Sequence, residues 1–203
     1  MKGAFKTGVT LIELTVAMSL LAIISYLVLS STLSSRTTST VAQASIFINA
    51  QAFQAASSIT SELMTAKSAS VITEDSFVDS DAITKYRSIR FMVPVQDANG
   101  NLVKTTEGYV KYGDGTTQAN YIRYRLVGTS LRREILAPDG TTILSGKTIA
   151  QSLPAAPNNS FKTTGNSGSG YNMTLAFSLS TYEGNKLPSP VTLTINIAAI
   201  PQN

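Results

Sequence analysis

The sequence predicts an α+β protein: one long N-terminal helix packed on an antiparallel β-sheet head. Three observations predict it. From Leu14 to Ser35 there is no Asp, Glu, Lys, Arg, Gly or Pro, and a run of this kind is long enough to cross a bilayer as a helix. From Val41 to Leu63 apolar residues recur at three- and four-residue steps, the period of an amphipathic helix. Near the C-terminus Met173, Leu175, Phe177 and Leu179 alternate with Thr174, Ala176 and Ser178, and Val191, Leu193, Ile195 and Ile197 alternate with Thr192, Thr194 and Asn196. Period two over that length indicates a half-buried antiparallel sheet.

The helix is expected from about Thr10 to about Ala66. Its first half is apolar nearly all round, with Thr15, Ser19 and Ser25 as minor polar interruptions. After Arg36 the character changes. Val41, Ala44, Ile48, Ala52, Ala55, Ile59 and Leu63 form one stripe, and Ile46, Phe47 and Phe53 fall beside it and are expected to widen the packed face. Ala22 to Ser30 contains neither Gly nor Pro, so the helix is expected to be continuous there. At 1.5 Å per residue the rod would reach on the order of 85 Å. The division that follows is residues 9–35 for the transmembrane half of the helix, 36–67 for its amphipathic half, and 68–203 for the β-rich head.

Within the head, Ser68 to Arg87 reads as a loop, with charges at Glu74, Asp75, Asp79, Asp81, Lys85 and Arg87. Ser88 to Val95 reads as a strand. Asp97-Ala98-Asn99-Gly100-Asn101 then gives a hairpin signal, and Leu102 to Tyr112 reads as its return, broken by Gly108. Tyr121 to Val127 and Ser130 to Leu136 read as two strands joined at Gly128-Thr129. Pro138-Asp139-Gly140 turns into Thr141 to Leu144. Pro154 to Gly170 is rich in Asn, Ser and Gly and reads as a long flexible stretch.

One charge breaks the pattern of the apolar helix. Glu13 stands at its mouth, in Gly8-Val9-Thr10-Leu11-Ile12-Glu13-Leu14, behind a leader carrying Lys2 and Lys6. An ionised carboxylate there is costly without a partner. In a first helical turn the macrodipole favours it by a few tenths of a kcal/mol to about 1. Lys2 and Lys6 keep the leader cytoplasmic by the positive-inside rule.

Lys6-Thr7-Gly8 followed by Val9-Thr10-Leu11-Ile12-Glu13 resembles the prepilin signal of the type IV filament family, which includes pilins and the pseudopilins of type II secretion. The match covers roughly the first thirty residues. The resemblance implies a pilin-like fold and a bacterial protein. Residues 1–8 would be a cytoplasmic leader that a membrane peptidase removes between Gly8 and Val9, and Val9 would then be N-methylated. Glu13 would become the fifth mature residue, the family's acidic position. There it would meet the ammonium at Val9 of a neighbouring subunit and set the axial register of assembly. The implied function is that of a structural subunit of a type IV pilus or type II secretion-like filament. The implied partners are other subunits, the prepilin peptidase and an inner-membrane assembly platform. The implied location is a single pass of the cytoplasmic membrane with the head outside, then a surface or periplasmic filament. No enzymatic activity, cofactor or metal is implied.

Other readings stand beside this one. An ordinary secretory signal peptide would place its apolar region at Leu14 to Leu29 and its cut near Leu29-Ser30-Ser31, leaving Glu13 without a role and cutting into the periodic helix. A ligand-binding module tethered by its N-terminal segment is a second alternative. Tyr121 to Leu126, Leu131-Arg132-Arg133 and Ile143-Leu144 are similar to a hairpin of J-type minor pseudopilins and W-type minor pilins. The same residues also read as an amphipathic hairpin with its arginines in water. Glu13 argues against a K-type tip subunit, which usually lacks the acid. The missing cysteines depart from the C-terminal disulfide loop of many pilins.

Composition excludes several classes. With no His and no Cys, the chain cannot build a Ser-His-Asp triad, a Cys-His dyad or a His-ligated zinc site. It carries no P-loop and no dinucleotide fingerprint. The formal charge is +4, and +2 once Lys2 and Lys6 are removed, which leaves no electrostatic footprint for nucleic acid. Asp97, Asn99 and Asn101 start like an EF-hand loop, but Gly100 is misplaced and a hairpin turn is expected. Asp79 and Asp81 are the remaining candidates for a surface calcium site. Asn158-Asn159-Ser160 and Asn172-Met173-Thr174 match an N-glycosylation pattern that carries little weight in a bacterial-type protein.

Overall fold

A computed structural model describes residues 10–78, 84–153, 161–166 and 169–202. The chain divides into two compact units, Met1–Gln43 and Ala44–Asn203. A single helix, α1 (Leu11–Thr65), belongs to both and is 55 residues long.

In the first unit α1 is exposed almost throughout, and its best 18-residue window has a mean hydropathy of 2.2. Length and composition suffice to cross a bilayer. Several hydroxyls along it turn back onto the helix. Thr15 donates to the Ile12 carbonyl at 2.9 Å and Ser19 to the Thr15 carbonyl at 2.8 Å. Thr32 donates to Val28 at 2.8 Å, and Thr37, Thr38 and Thr40 repeat the pattern one turn back at 3.0 Å. A hydroxyl satisfied by its own helix can enter an apolar medium without a stranded donor.

The second unit is a sheet laid on the rest of α1. A 3₁₀ turn (Ser68–Ser70) leads into β1 (Ile72–Val78), β2 (Thr84–Phe91), β3 (Val93–Pro94), β4 (Tyr112–Gly113), β5 (Tyr121–Val127), β6 (Ser130–Leu136), β7 (Ile143–Ala150), β8 (Phe161–Asn166), β9 (Gly170–Tyr182) and β10 (Asn185–Ala199). Eight of these form one antiparallel sheet in the order β10-β9-β8-β2-β5-β6-β7, with β1 also on β2. β3 and β4 form a separate ribbon. The large sheet forks at β2. One edge of β2 pairs with β1, and the other pairs with β5 through Ser88–Phe91 and with β8 through Tyr86.

The core lies between α1 and both branches. Ile48, Ala52, Ala55, Ile59 and Leu63 pack against Ile89, Phe91, Ile122, Tyr124, Phe161, Met173, Leu175 and Phe177. Each large side chain so buried stabilises the fold by roughly 1.5–3 kcal/mol. Phe91 stacks on Tyr124 with ring centroids 6.2 Å apart. One polar link crosses this core. The Tyr124 hydroxyl donates to Glu62 Oε2 at 2.8 Å, and Arg133 Nε donates to Glu62 Oε1 at 2.9 Å. Burial, reinforced by the Glu62 charge, pushes the Tyr124 hydroxyl well above its ordinary value, so it stays a donor.

The C-terminal end of α1 has no glycine cap. The segment after β10 serves instead: the Gln202 amide donates to the Ala66 carbonyl at 3.0 Å, and Ser68 donates its amide to the Gln202 carbonyl at 2.8 Å. This satisfies backbone groups that the helix end would otherwise leave without partners.

The helix agrees with the sequence reading to one residue at each end, and it is unbroken. Of the expected stripe, Ala44, Ile48, Ala52, Ala55, Ile59 and Leu63 are buried. Ile46 and Phe53 do not widen that face; they are 68% and 78% exposed. Phe47 lies at the margin, tilted against Tyr182 at 5.8 Å. Residues 68–87 are not simply a loop, because β1 and the start of β2 lie there. Glu74 and Asp75 hid β1, which is an edge strand kinked by the positive φ of Asp75 and able to hold charge in water. The Asn99-Gly100 turn is present, with Gly100 at φ 81° and the Asp97 amide bonded to the Asn101 carbonyl at 2.9 Å. The expected return strand is not regular; only the isolated bridges Gln96↔Leu102 and Lys104↔Val110 precede β4. β5 and β6 fall on their expected bounds, whereas β7 extends to Ala150. Phe161–Asn166, assigned to a flexible stretch, is the strand β8. Asn158, Asn159 and Ser160 lie outside the described residues.

The Glu62 link gives a stability prediction. Replacing Glu62 by Ala leaves the Tyr124 hydroxyl and Arg133 without their partner. Urea unfolding of the detergent-solubilised chain should show a loss of about 1–3 kcal/mol, and Tyr124→Phe a smaller loss of about 1 kcal/mol.

Candidate functional site at the start of the helix and the polar face of the sheet

Lys2, Lys6, Gly8 and Val9 lie outside the described residues, as do Asp79 and Asp81. Glu13 is described, in the first turn of α1. It sits in a reciprocal cap with Thr10. The Glu13 amide donates to Thr10 Oγ1 at 3.2 Å, and the Thr10 amide donates to Glu13 Oε2 at 2.8 Å. The Thr10 hydroxyl also donates to Oε2 at 3.1 Å. Two donors of the first turn are thereby satisfied. The carboxylate has a partner within its own chain, and both bonds that reach it fall on one oxygen, Oε2. The signal was present in the sequence as Thr-x-x-Glu before an apolar run, whereas the sequence reading gave Glu13 the helix dipole and a neighbour's ammonium as partners.

A second polar group was missed. On the sheet face opposite Ile89 and Tyr124, the pairings Arg90↔Arg123, Arg123↔Glu134 and Glu134↔Gly146 set one cross-strand row. Glu74↔Ser88, Ser88↔Arg125 and Arg125↔Arg132 set the next. Glu134 is fully buried. Its Oε2 accepts from Arg123 Nη2 at 2.7 Å and lies 2.9 Å from Arg125 Nε. Arg90 pairs with Glu74 at 3.1 Å, lies over the Tyr121 ring at 5.3 Å and donates to the Gly140 carbonyl. Gly146 lies under the same cluster: a Cβ there would stand 2.8 Å from Arg132 Nη2, a contact the flexible guanidinium could yield to. Three of the hairpin arginines are therefore held by carboxylates rather than standing free in water. Arg123 is 12% exposed, and Arg133 is committed to Glu62 on the other face.

Elsewhere carboxylates organise turns. Asp97 Oδ1 accepts the amides of Asn99 and Asn101, both at 2.9 Å, so the segment is built as a turn rather than as an open cation loop. Asp114 accepts from the Thr117 amide, the Asn120 side chain and Thr116. Burial opposes its ionisation, but these bonds together hold its carboxyl below the usual range. Among the described residues no group of three His, Cys, Asp or Glu could hold a metal ion. A shallow cavity of about 370 Å³ is lined by Lys67, Met92, Lys111, Tyr112 and Tyr121 among others, and no carboxylate faces it.

Comparison with known proteins adds no relative. No family model, no curated protein and no solved structure matches this chain.

Glu134 gives the sharper test of the polar face. Its replacement by Ala leaves the part-buried guanidinium of Arg125 without its counterion and that of Arg123 with only the longer contact to Glu74 at 3.9 Å. A loss of about 3–5 kcal/mol is expected, read as a lower urea midpoint; an unchanged midpoint would show that the cluster contributes nothing.

Proposed function

We propose that this chain is a structural subunit of a type IV pilus or type II secretion-like filament. The observation that carries the reading is an exposed, uncharged helical segment beginning at a glutamate, behind the residues Lys6-Thr7-Gly8. That apolar surface needs lipid before assembly and other helices after it. In this reading the chain crosses the cytoplasmic membrane once, the peptidase cuts between Gly8 and Val9, and Glu13 pairs with the new ammonium of a neighbour. The continuity of α1 supports this over a cut near Ser31, which would sever a helix that runs on to Thr65. The exposed Ile46 and Phe53 support it too, since they offer apolar surface on the half of the helix already packed on the sheet.

Two experiments test the reading. Gly8→Leu should leave the precursor uncut, so that N-terminal sequencing of the membrane form starts at Met1 rather than Val9. Glu13→Ala should leave insertion and cleavage largely intact while reducing incorporation into filaments about tenfold or more, the consequence of losing about 1.4 kcal/mol. Normal incorporation beside wild-type subunits would remove the charge pair, and a mature chain beginning near Ser31 would remove the filament reading.

A further inference from the structure

The large sheet ends on one side at β10, and among the described residues no strand pairs with its outer edge. Edge strands are usually blunted by charge, kinks or proline. The other two free edges are: β1 carries Glu74 and the kinked Asp75, and β7 carries Gly146 and Lys147. β10 is different in its second half. Lys186, Pro188 and Pro190 blunt its start, but between Pro190 and Pro201 it has no charge, no glycine and no proline. Its register with β9 is unbroken from Val191 to Ala199, and the only irregularity precedes that run. The apolar face is unfinished: Ile197 and Ala199 are buried, while Val191, Leu193 and Ile195 are only half-buried.

The run is also self-complementary. Its midpoint is Ile195. In antiparallel pairing of two such strands about that residue, Thr194 faces Asn196, Leu193 faces Ile197 and Val191 faces Ala199. Apolar meets apolar, polar meets polar, and no like charges oppose. Sliding the register by two residues keeps the alternation but drives Pro190 or Pro201 into the ladder, where proline cannot donate. Any antiparallel pairing of two copies is two-fold symmetric, and maximum overlap between the bounding prolines places the axis at Ile195.

We propose that β10 docks antiparallel against β10 of a second copy of this chain, about a two-fold axis at Ile195, joining two heads through one continuous sheet. The pairing satisfies the free backbone groups of Val191–Ala199 and covers the half-buried Val191, Leu193 and Ile195. It does not depend on the filament reading and uses no residue of that reading.

The chain has no cysteine, so one introduced thiol reports the symmetry directly. Ile195→Cys in the full-length chain, solubilised in mild detergent and gently oxidised, should give a disulfide-linked dimer on a non-reducing gel. Ser145→Cys, on the exposed edge β7, controls for association through the apolar helix and should cross-link about tenfold less. Adding Thr194→Lys and Asn196→Lys to Ile195→Cys opposes like charges across the axis and should lower cross-linking about tenfold. Adding Thr194→Lys and Asn196→Glu instead should restore it. Equal cross-linking at positions 145 and 195, or indifference to both charge pairs, would overturn the proposal.

Discussion

Apolar surface without a counterpart in its own fold is the constraint on which everything else here depends. Along residues 44–63 of α1 a single stripe is covered by the sheet, and a tyrosine and an arginine reach across to Glu62. From Leu11 to Leu33 there is no such cover, and large aliphatic side chains stand more than half exposed. Water is a poor solvent for that surface at roughly 25 cal/mol per Å². A lipid bilayer or a bundle of like helices are the environments that relieve it, and the inward-turned hydroxyls of Thr15, Ser19 and Thr32 suit the helix to either.

Several charged groups in the head hold its layers together. Glu134 and Glu62 sit on opposite faces of the same hairpin, and each is held by arginine. The alternation of β5 and β6 sends Arg123 to one face and Arg133 to the other, so neighbouring arginines serve different layers. A hairpin of this kind ties the helix below to the sheet's outer face above. The carboxylates that bend turns, Asp97, Asp114 and Asp139, are likewise consumed by adjacent amides and hydroxyls.

Long periodic segments were legible in the sequence because their period exceeds local noise. The helix, β5, β6, β9 and β10 all follow from alternation or three-four spacing. Elements whose pattern is broken by charge or brevity were not. β1 carries Thr73, Glu74, Asp75 and Ser76 in succession, and it becomes a strand only because β2 offers it a partner. β8 reads Phe-Lys-Thr-Thr-Gly-Asn and is recruited by β9 in the same way. The placement of Ile46 and Phe53 failed for another reason. A stripe of apolar residues fixes which face packs on the sheet, but it does not say how far that sheet reaches around the helix. The arginine cluster was invisible because cross-strand register brings together residues that are remote in the chain, Glu74 and Glu134 among them.

The cap at Thr10 changes how the acid at the head of α1 should be understood. A carboxylate with no partner would be driven to find one, and assembly would then rest on relieving a penalty. Glu13 is instead already anchored through Oε2 by the Thr10 amide and hydroxyl. A carboxylate has about four acceptor sites on its two oxygens, so this anchoring does not exhaust it. An incoming ammonium can add to the arrangement without dismantling it. The cap also fixes the rotamer that presents the remaining acceptor sites, which lowers the ordering cost of any later pairing. In the filament reading Thr10 is thus a positioning residue for Glu13, and the driving force for assembly shifts from rescue of a stranded charge to burial of the uncovered helix, with the ion pair setting register.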